Sequence, residues 1–116
     1  MSAPYKYSKC RVDRIVDGDT VDLWINLGFS TYVKKRCRLY GINTPESRTR
    51  DLEEKARGKA ATAHMESLLE SGFCDLESHE LGKYGRVLGT LYVDGVDLNK
   101  QMIEDGHAIE YWGGKR

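Results

Sequence analysis

The chain of 116 residues lacks the features that mark several large classes of protein. Its three cysteines, Cys10, Cys37 and Cys74, are widely spaced without a Cys-x-x-Cys pair, which argues against a disulfide framework or a zinc site. No apolar run is long enough to cross a membrane, and the first residues do not resemble a signal peptide. These absences predict a cytoplasmic protein with reduced, mostly buried cysteines.

A net charge is also absent, because 18 Lys and Arg residues balance 18 Asp and Glu residues. Overall attraction to a nucleic acid backbone is therefore not expected. The charges are nevertheless divided, since residues 1–50 carry ten basic and five acidic side chains and residues 51–116 carry eight and thirteen. The first half of the chain either presents a solvated charged surface or holds a phosphate backbone weakly and in a salt-sensitive way.

The length and a hydrophobic content of 40% fit one compact domain over residues 1–116. Repeats, linkers and low-complexity segments are not evident, and only residues 113–116 are predicted to be a flexible tail. Apolar residues alternate with others from Val21 to Leu27, which predicts a half-buried strand. Two further strands are predicted over residues 11–16 and 31–40, with Val33, Cys37 and Leu39 on one face of the latter.

A helix is predicted to begin at Asp51, with Glu54 at the spacing of a capping box, and to end at Gly72. Its packing face is predicted from apolar residues at helical spacing, which are Leu52, Ala56, Ala60, Ala63, Met65, Leu68 and Leu69. Two strands, over residues 73–81 and 86–93, and a short helix over residues 97–105 complete the pattern. Three strands, a helix, two strands and a helix indicate a five-stranded OB barrel.

Three separated motifs carry groups suited to phosphate chemistry. They are Asp17-Gly18-Asp19-Thr20, the segment from Arg38 to Glu46, and Lys83-Tyr84-Gly85-Arg86. Each also has a purely structural interpretation. The first is a hairpin signal, the last is an ordinary turn, and Thr44 and Pro45 have the residue types of a helix cap and a first helical position.

In this order, the three motifs resemble the staphylococcal (micrococcal) nuclease family of the thermonuclease type, over residues 12–111. The resemblance implies an α+β fold, a five-stranded OB barrel with two to three helices. It also implies Ca²⁺-dependent hydrolysis of DNA and RNA with little sequence preference, leaving 3′-phosphate ends. The expected substrates are single-stranded or locally open, the expected protein is monomeric, and a bacterial, plasmid or phage origin is plausible.

The resemblance assigns a role to each motif residue. The general base falls on Glu46, and the phosphate-binding arginines fall on Arg38 and Arg86. The calcium ligands fall on Asp19, Asn43 and the main-chain carbonyl of Thr44. The remaining matches are Lys83 and Tyr84, which contact substrate in the family, and Asp17, which is either a carboxylate near the metal or a turn-capping residue.

Asn43 departs from the family pattern, which usually has Asp at this position. An amide oxygen still coordinates calcium, but the lost charge should weaken metal affinity. The alternative function is therefore a catalytically weak or inactive OB module that binds nucleic acid or protein. Retention of the other catalytic residues favours the enzyme, and a third hypothesis is a nuclease that a partner recruits to its substrate.

Two groups of aromatic and histidine residues remain to be interpreted. Tyr111-Trp112 either stacks on unpaired bases or closes the base of the barrel. His64, His79 and His107 lack metal-binding spacing and are expected at helix-surface or strand positions.

Overall fold

The computed structural model describes residues 5–81 and 85–112. The strands are β1 (Tyr5–Asp17), β2 (Thr20–Asn26), β3 (Tyr32–Leu39), β4 (Ile42–Asn43), β5 (Phe73–Leu81), β6 (Val87–Val93), β7 (Val96–Asp97) and β8 (Ile109–Glu110). The helices in this part of the chain are α1 (Leu52–Leu68) and α2 (Leu98–Glu104).

The strands are hydrogen-bonded in the antiparallel order β3-β2-β1-β5-β6-β7. A parallel pairing of β3 with β6, which matches Cys37 to Val87 and Leu39 to Gly89, closes five of them into a barrel. The short strands β4 and β8 form a separate pair. The predicted α+β fold with a five-stranded OB barrel is therefore confirmed.

Alternation along the strands places one set of side chains inside the barrel. Val21, Leu23 and Ile25 of β2 are buried as predicted, and they share the core with the three cysteines. All three cysteines are free thiols in buried positions, which confirms that prediction. Neither helix of the described residues is long and apolar enough to cross a membrane.

The thiols of the core are expected to be unreactive in the folded protein. Burial raises the pKa of Cys37 and of Cys74 to about 12, so almost no thiolate is present near neutral pH. Native protein treated with iodoacetamide at about pH 8 should be labelled only through unfolded molecules, and therefore no faster than it unfolds. Mass spectrometry with and without denaturant measures this, and rapid labelling of the native protein would contradict it.

The observed strand bounds differ most at β1, which begins at Tyr5 rather than at residue 11. The additional residues form a strand because Tyr5, Lys6 and Tyr7 pair with β5. A register shift follows, where Lys9 has a φ of 55° and donates its N–H to Asp75 Oδ1 at 3.0 Å. Charged residues interrupt the hydrophobic pattern in this stretch, so the pattern did not predict this part of the strand.

Helix α1 begins where the sequence predicts, but not with a capping box. Asp51 caps the helix by accepting hydrogen bonds from the N–H groups of Glu53 and Glu54. Glu54 does not return to Asp51, because its Oε2 accepts a hydrogen bond from the N–H of Glu46 at 3.2 Å. The alternative helix start at Thr44 and Pro45 is also wrong, since the helix begins at Leu52.

The predicted packing face of α1 is wrong over its first three turns. Leu52 is 77% exposed, and Ala56, Ala60 and Ala63 are exposed as well. The face that packs on the barrel consists of Gly58, Ala61, Met65 and Leu69, all of which are buried. Small residues lie on several faces of this helix, so the faces differ little in hydrophobicity. Which face is buried therefore depends on how closely the barrel backbone can approach it.

Candidate active site

The segment after β3, residues 40–46, forms an elbow that main-chain hydrogen bonds hold from two sides. The Tyr40 N–H donates to the Gly89 carbonyl at 2.7 Å, and the Tyr111 N–H donates to the Gly41 carbonyl at 2.9 Å. The Asn99 amide donates to the Tyr40 carbonyl at 2.9 Å. Asn99 is 5% exposed, and sequence analysis did not single it out. The signal in the sequence that could have identified Asn99 is its position as a polar residue among the buried residues of α2.

Gly41 is required at this elbow for two reasons. Its φ of +80° is one that residues with a side chain rarely adopt. A Cβ at this position would also lie 2.5 Å from the Trp112 ring, so the ring packs directly on the glycine backbone. Gly41 therefore allows the bend that leads into Asn43, Thr44 and Glu46.

A cavity of about 380 Å³ lies beside the elbow. It brings together all the predicted metal ligands, the predicted general base and one predicted phosphate-binding arginine. Its lining consists of Asp17, Asp19, Arg38, Asn43, Thr44, Pro45, Glu46, Ser47 and Arg48.

Asp19 joins the turn between β1 and β2 to the elbow. The residue is 7% exposed, and its Oδ2 accepts a hydrogen bond from the Thr44 N–H at 3.2 Å. The same oxygen lies 3.6 Å from Nη1 of Arg38, and Oδ1 accepts a hydrogen bond from the Thr20 hydroxyl at 3.0 Å. A buried carboxylate is stable here because it is paired with a cation and hydrogen-bonded.

Arg38 is held by acceptors of the elbow. Its Nη1 donates to the carbonyls of Ile42 at 3.0 Å and Leu39 at 3.2 Å, and its Nη2 donates to Asn43 Oδ1 at 3.2 Å. These bonds orient the guanidinium before any ligand arrives. The last of these bonds engages the side-chain oxygen of Asn43, a residue that also lines the cavity.

Helix α1 supports the backbone of Glu46. Besides the hydrogen bond from the Glu46 N–H to Glu54, the helix approaches the elbow at Gly58. A Cβ at Gly58 would lie 2.5 Å from the carbonyl carbon and oxygen of Glu46 and 2.6 Å from the Ser47 nitrogen. Only glycine allows this approach, which sets the position of an otherwise exposed carboxylate.

The same helix supports the turn that carries Asp19. A Cβ at Gly18 would lie 2.9 Å from the Ala61 Cβ, one helical turn from Gly58. Asp17, in this turn, accepts a hydrogen bond from the Ser47 hydroxyl at 2.8 Å. Asp17 thus connects the turn to the residue that follows the elbow, and α1 packs against both the turn and the elbow.

Arg86 lines an adjoining cavity of about 290 Å³, and Arg38 lines both cavities. The Nε of Arg86 is buried and has no hydrogen-bond partner among residues 5–81 and 85–112. Such a donor costs about 1–3 kcal/mol unless a ligand satisfies it. The predicted substrate contacts Lys83 and Tyr84 lie outside the described residues.

The donors of the first cavity fit a hard cation in chemical type. The predicted ligands Asp19, Asn43 and Thr44 present only oxygen, as hard cations prefer. Within the described part of the chain, no group of three or more His, Cys, Asp or Glu side chains is arranged to hold a metal ion. Asp19 is the one carboxylate among these predicted ligands, and Asp17 and Glu46 line the same cavity.

The remaining ring residues take the following positions. His64 of α1 stacks on His107 with 4.5 Å between centroids, and its Nε2 lies 2.6 Å from Asp105 Oδ2. His79 lies on β5, as expected for a strand position. Trp112 is 66% exposed and contacts Tyr40 edge-on at 5.3 Å, so it does not close the base of the barrel.

The fold and the site together define a class of protein. Proteins of this class have an OB barrel in which one cavity holds carboxylates, an amide and an arginine, and the adjoining cavity holds a second arginine. Residues 36–115 match the family described as staphylococcal nuclease homologue, and the chain belongs to this family.

Relatives of the chain carry endonuclease names. It is 32% identical over 100 residues to the SPbeta prophage-derived endonuclease YokF of Bacillus subtilis, covering 84% of the chain and 32% of that protein. It is 30% identical over 102 residues to an uncharacterized endonuclease of Escherichia coli, covering 87% and 60%. It is also 30% identical over 100 residues to the endonuclease YncB of Bacillus subtilis, covering 84% and 45%. The chain spans about a third to three fifths of the length of these relatives.

Proposed function

We propose that the chain is a Ca²⁺-dependent nuclease that hydrolyses DNA and RNA with little sequence preference and leaves 3′-phosphate ends. The observation that carries the proposal is the shared position of Arg38. Its guanidinium lines both the cavity of Asp19, Asn43 and Glu46 and the cavity of Arg86. A phosphodiester at this junction would have Glu46, the proposed general base, on one side and the guanidinium groups of Arg38 and Arg86 on the other.

In the proposed reaction, Glu46 accepts a proton from a water molecule that attacks phosphorus. The bond from phosphorus to the 5′ oxygen breaks, and this oxygen takes a proton from solvent water while Glu46 returns its proton to solvent. One product then carries a 3′-phosphate and the other a 5′-hydroxyl. Arg38 and Arg86 donate charge-assisted hydrogen bonds to the phosphate oxygens as negative charge develops. The buried Nε of Arg86 supports this assignment, because a phosphate oxygen would supply its missing acceptor.

Asp19, Asn43 and the Thr44 carbonyl would hold the calcium ion in the first cavity. Bound there, Ca²⁺ would supply positive charge that stabilises the phosphate during attack. Because one of the three ligands is charged, the chain is proposed to need a high calcium concentration. Arg38 adds to this requirement, since it places a cation 3.6 Å from Asp19 and bonds to Asn43.

The family and the endonuclease names of relatives support this function. The relatives compared above are bacterial, and one is prophage-derived, which accords with the expected origin. A preference for single-stranded or locally open nucleic acid, a monomeric state and a cytoplasmic location stay predictions.

Cleavage assays test the proposed function. Purified protein is incubated with single-stranded DNA, double-stranded DNA or RNA, in Ca²⁺, in Mg²⁺ or in chelator, and the ends of the products are determined. Cleavage in Ca²⁺ that leaves 3′-phosphates, with none in chelator, is expected. Binding without cleavage at any calcium concentration would favour the alternative, a nucleic-acid-binding OB module in which the bond between Arg38 and Asn43 occupies a metal ligand.

Asn43→Asp is expected to lower the Ca²⁺ concentration that gives half-maximal cleavage by several-fold. A carboxylate adds a charged ligand, and this gain should exceed the stronger bond that Arg38 forms with the same group. Calcium titrations of the wild type and the variant on one DNA substrate measure the shift. An unchanged or higher requirement would count against this ligand set.

Arg86→Lys is expected to lower kcat by about 10²-fold, within the range observed for loss of one transition-state donor. Lysine keeps the charge but cannot reproduce the planar donor geometry of the guanidinium. Arg14→Lys, at an exposed position of β1, is the matched control and should cleave like the wild type. Equal cleavage rates for both variants would show that Arg86 does not take part in the proposed reaction.

A further inference from the structure

Beyond the phosphate cavities lies a third cavity of about 520 Å³, which we call the aromatic groove. Its walls include the rings of Tyr40, His79, Tyr92 and Trp112 and the carboxylates of Glu77 and Glu110. Tyr40 stacks on His79 with 4.7 Å between centroids and 30° between planes. The proposed cleavage reaction uses none of these side chains.

The rings of the groove form a built surface rather than a loose cluster. His79 Nε2 lies 2.8 Å from the Thr90 hydroxyl, and Tyr40 is fixed at its main chain by Asn99. The T-shaped contact of Trp112 with Tyr40 adds a third ring. Flat, rigid ring systems are the surfaces on which nucleobases stack.

The carboxylates of the groove are positioned as hydrogen-bond acceptors. Glu77 Oε1 accepts a hydrogen bond from the Tyr92 hydroxyl at 3.0 Å, and Glu110 Oε1 accepts one from Trp112 Nε1 at 3.3 Å. Each carboxylate keeps a second oxygen for another donor. Their negative charge disfavours the binding of a phosphate in the groove but favours the binding of a group rich in N–H donors.

The groove adjoins the cavity of Arg86. Tyr40, Gly41, Ile42 and Trp112 line both cavities, so they form the boundary between them. The Arg86 side carries two arginines and one carboxylate, Glu80. The groove carries aromatic rings and four carboxylates, from Glu77, Asp97, Glu104 and Glu110, with one lysine, Lys100. This order matches a nucleotide, in which a phosphate is followed by a flat base with hydrogen-bond donors.

We propose that the aromatic groove binds the base of the nucleotide next to the phosphate held by Arg38 and Arg86, and that it favours guanine. Guanine presents N1–H and N2–H₂ side by side, which suits a carboxylate, whereas thymine presents one N–H between two carbonyl oxygens. This inference rests on the proposed function, because the phosphate site sets where the base lies.

Binding measured in chelator tests the groove without cleavage. Fluorescence anisotropy gives Kd for labelled oligothymidylates in which one position, scanned along the strand, carries guanine, thymine or no base. At one position, Kd is expected to be about 5- to 100-fold higher without a base than with guanine, since base stacking has that effect on affinity. Thymine at that position should give an intermediate Kd.

The double variant Glu77→Gln and Glu110→Gln isolates the hydrogen-bonding part of the proposal. Each amide keeps an oxygen for Tyr92 or Trp112 but loses the second acceptor, so the guanine preference should disappear while the effect of removing the base remains. Glu66→Gln, at an exposed position of α1, is the matched control. A guanine preference that survives in the double variant would overturn this specificity.

Cleavage measured in parallel separates the two proposals. Cleavage in Ca²⁺ together with equal Kd values at every scanned position would overturn the groove and leave the nuclease. A base effect at one position without any cleavage would retain the groove and overturn the nuclease. Failure of every oligonucleotide to bind in chelator at low salt would overturn the groove, and absence of cleavage in Ca²⁺ as well would overturn both.

Discussion

Replacing Glu46 by Gln is expected to lower kcat for DNA cleavage by about 10²–10⁴-fold, the usual contribution of a general base. The amide has nearly the same shape but cannot accept a proton from water. The hydrogen bond from the Glu46 N–H to Glu54 involves the main chain, so the variant should keep the elbow and the affinity for substrate. Single-turnover rates and Kd values in Ca²⁺ separate the two quantities.

Glu66→Gln serves here as the matched control, since this exposed carboxylate lies on α1 and does not line the cavity. It should cleave at the wild-type rate. If Glu46→Gln retains a rate within about tenfold of the wild type, Glu46 is not the base of the reaction. A raised Kd with an unchanged rate would instead make it a binding residue.

The second large effect is expected from Gly58→Ala, which adds one methyl group to a residue that does not line the cavity. A Cβ there would lie 2.5 Å from the Glu46 carbonyl, so the elbow or the helix must move. Because a shift of about 1 Å at a catalytic group can reduce rates 10²-fold, kcat should fall by about 10- to 100-fold. The free energy of unfolding should fall by about 1–3 kcal/mol, as expected for overpacking.

Ala60→Ser adds one atom at an exposed position of the same helix and is the matched control. Denaturant titrations and single-turnover rates should show little change for it. At an uncrowded helix position, Gly→Ala would raise stability by about 0.5–1 kcal/mol through helix propensity. A more stable Gly58→Ala protein with unchanged kcat would therefore show that α1 does not position the elbow.

Much of the fold was predictable because local signals agreed with the final packing. The predicted bounds of β5 match the structure, those of β6 differ by one residue at its start, and those of α2 differ by one residue at each end. Asp97 and Asp51 cap their helices as their residue types indicate. The start of β1 was not predictable, because Tyr5 to Tyr7 form a strand through pairing with a distant segment.

The sequence motifs predicted residues that the structure brings into one cavity, but they did not predict the contacts that hold these residues in place. The motifs named Asp19, Asn43 and Glu46, and the structure places them in one cavity. The support depends on glycines and on buried polar residues whose partners are remote in sequence. Gly58 was not distinguished from neighbouring alanines because sequence spacing does not show what lies opposite a helix. The contact of His64 with His107 was missed for the same reason.

A crystal structure of the Glu46→Gln variant with Ca²⁺ and a short single-stranded DNA would test the site most directly. The predicted result is anomalous density for calcium within coordination distance of Asp19, Asn43 and the Thr44 carbonyl. A phosphate of the DNA should also accept hydrogen bonds from Arg38 and from the Nε of Arg86. Calcium bound elsewhere, or a DNA phosphate away from both arginines, would contradict the proposed site.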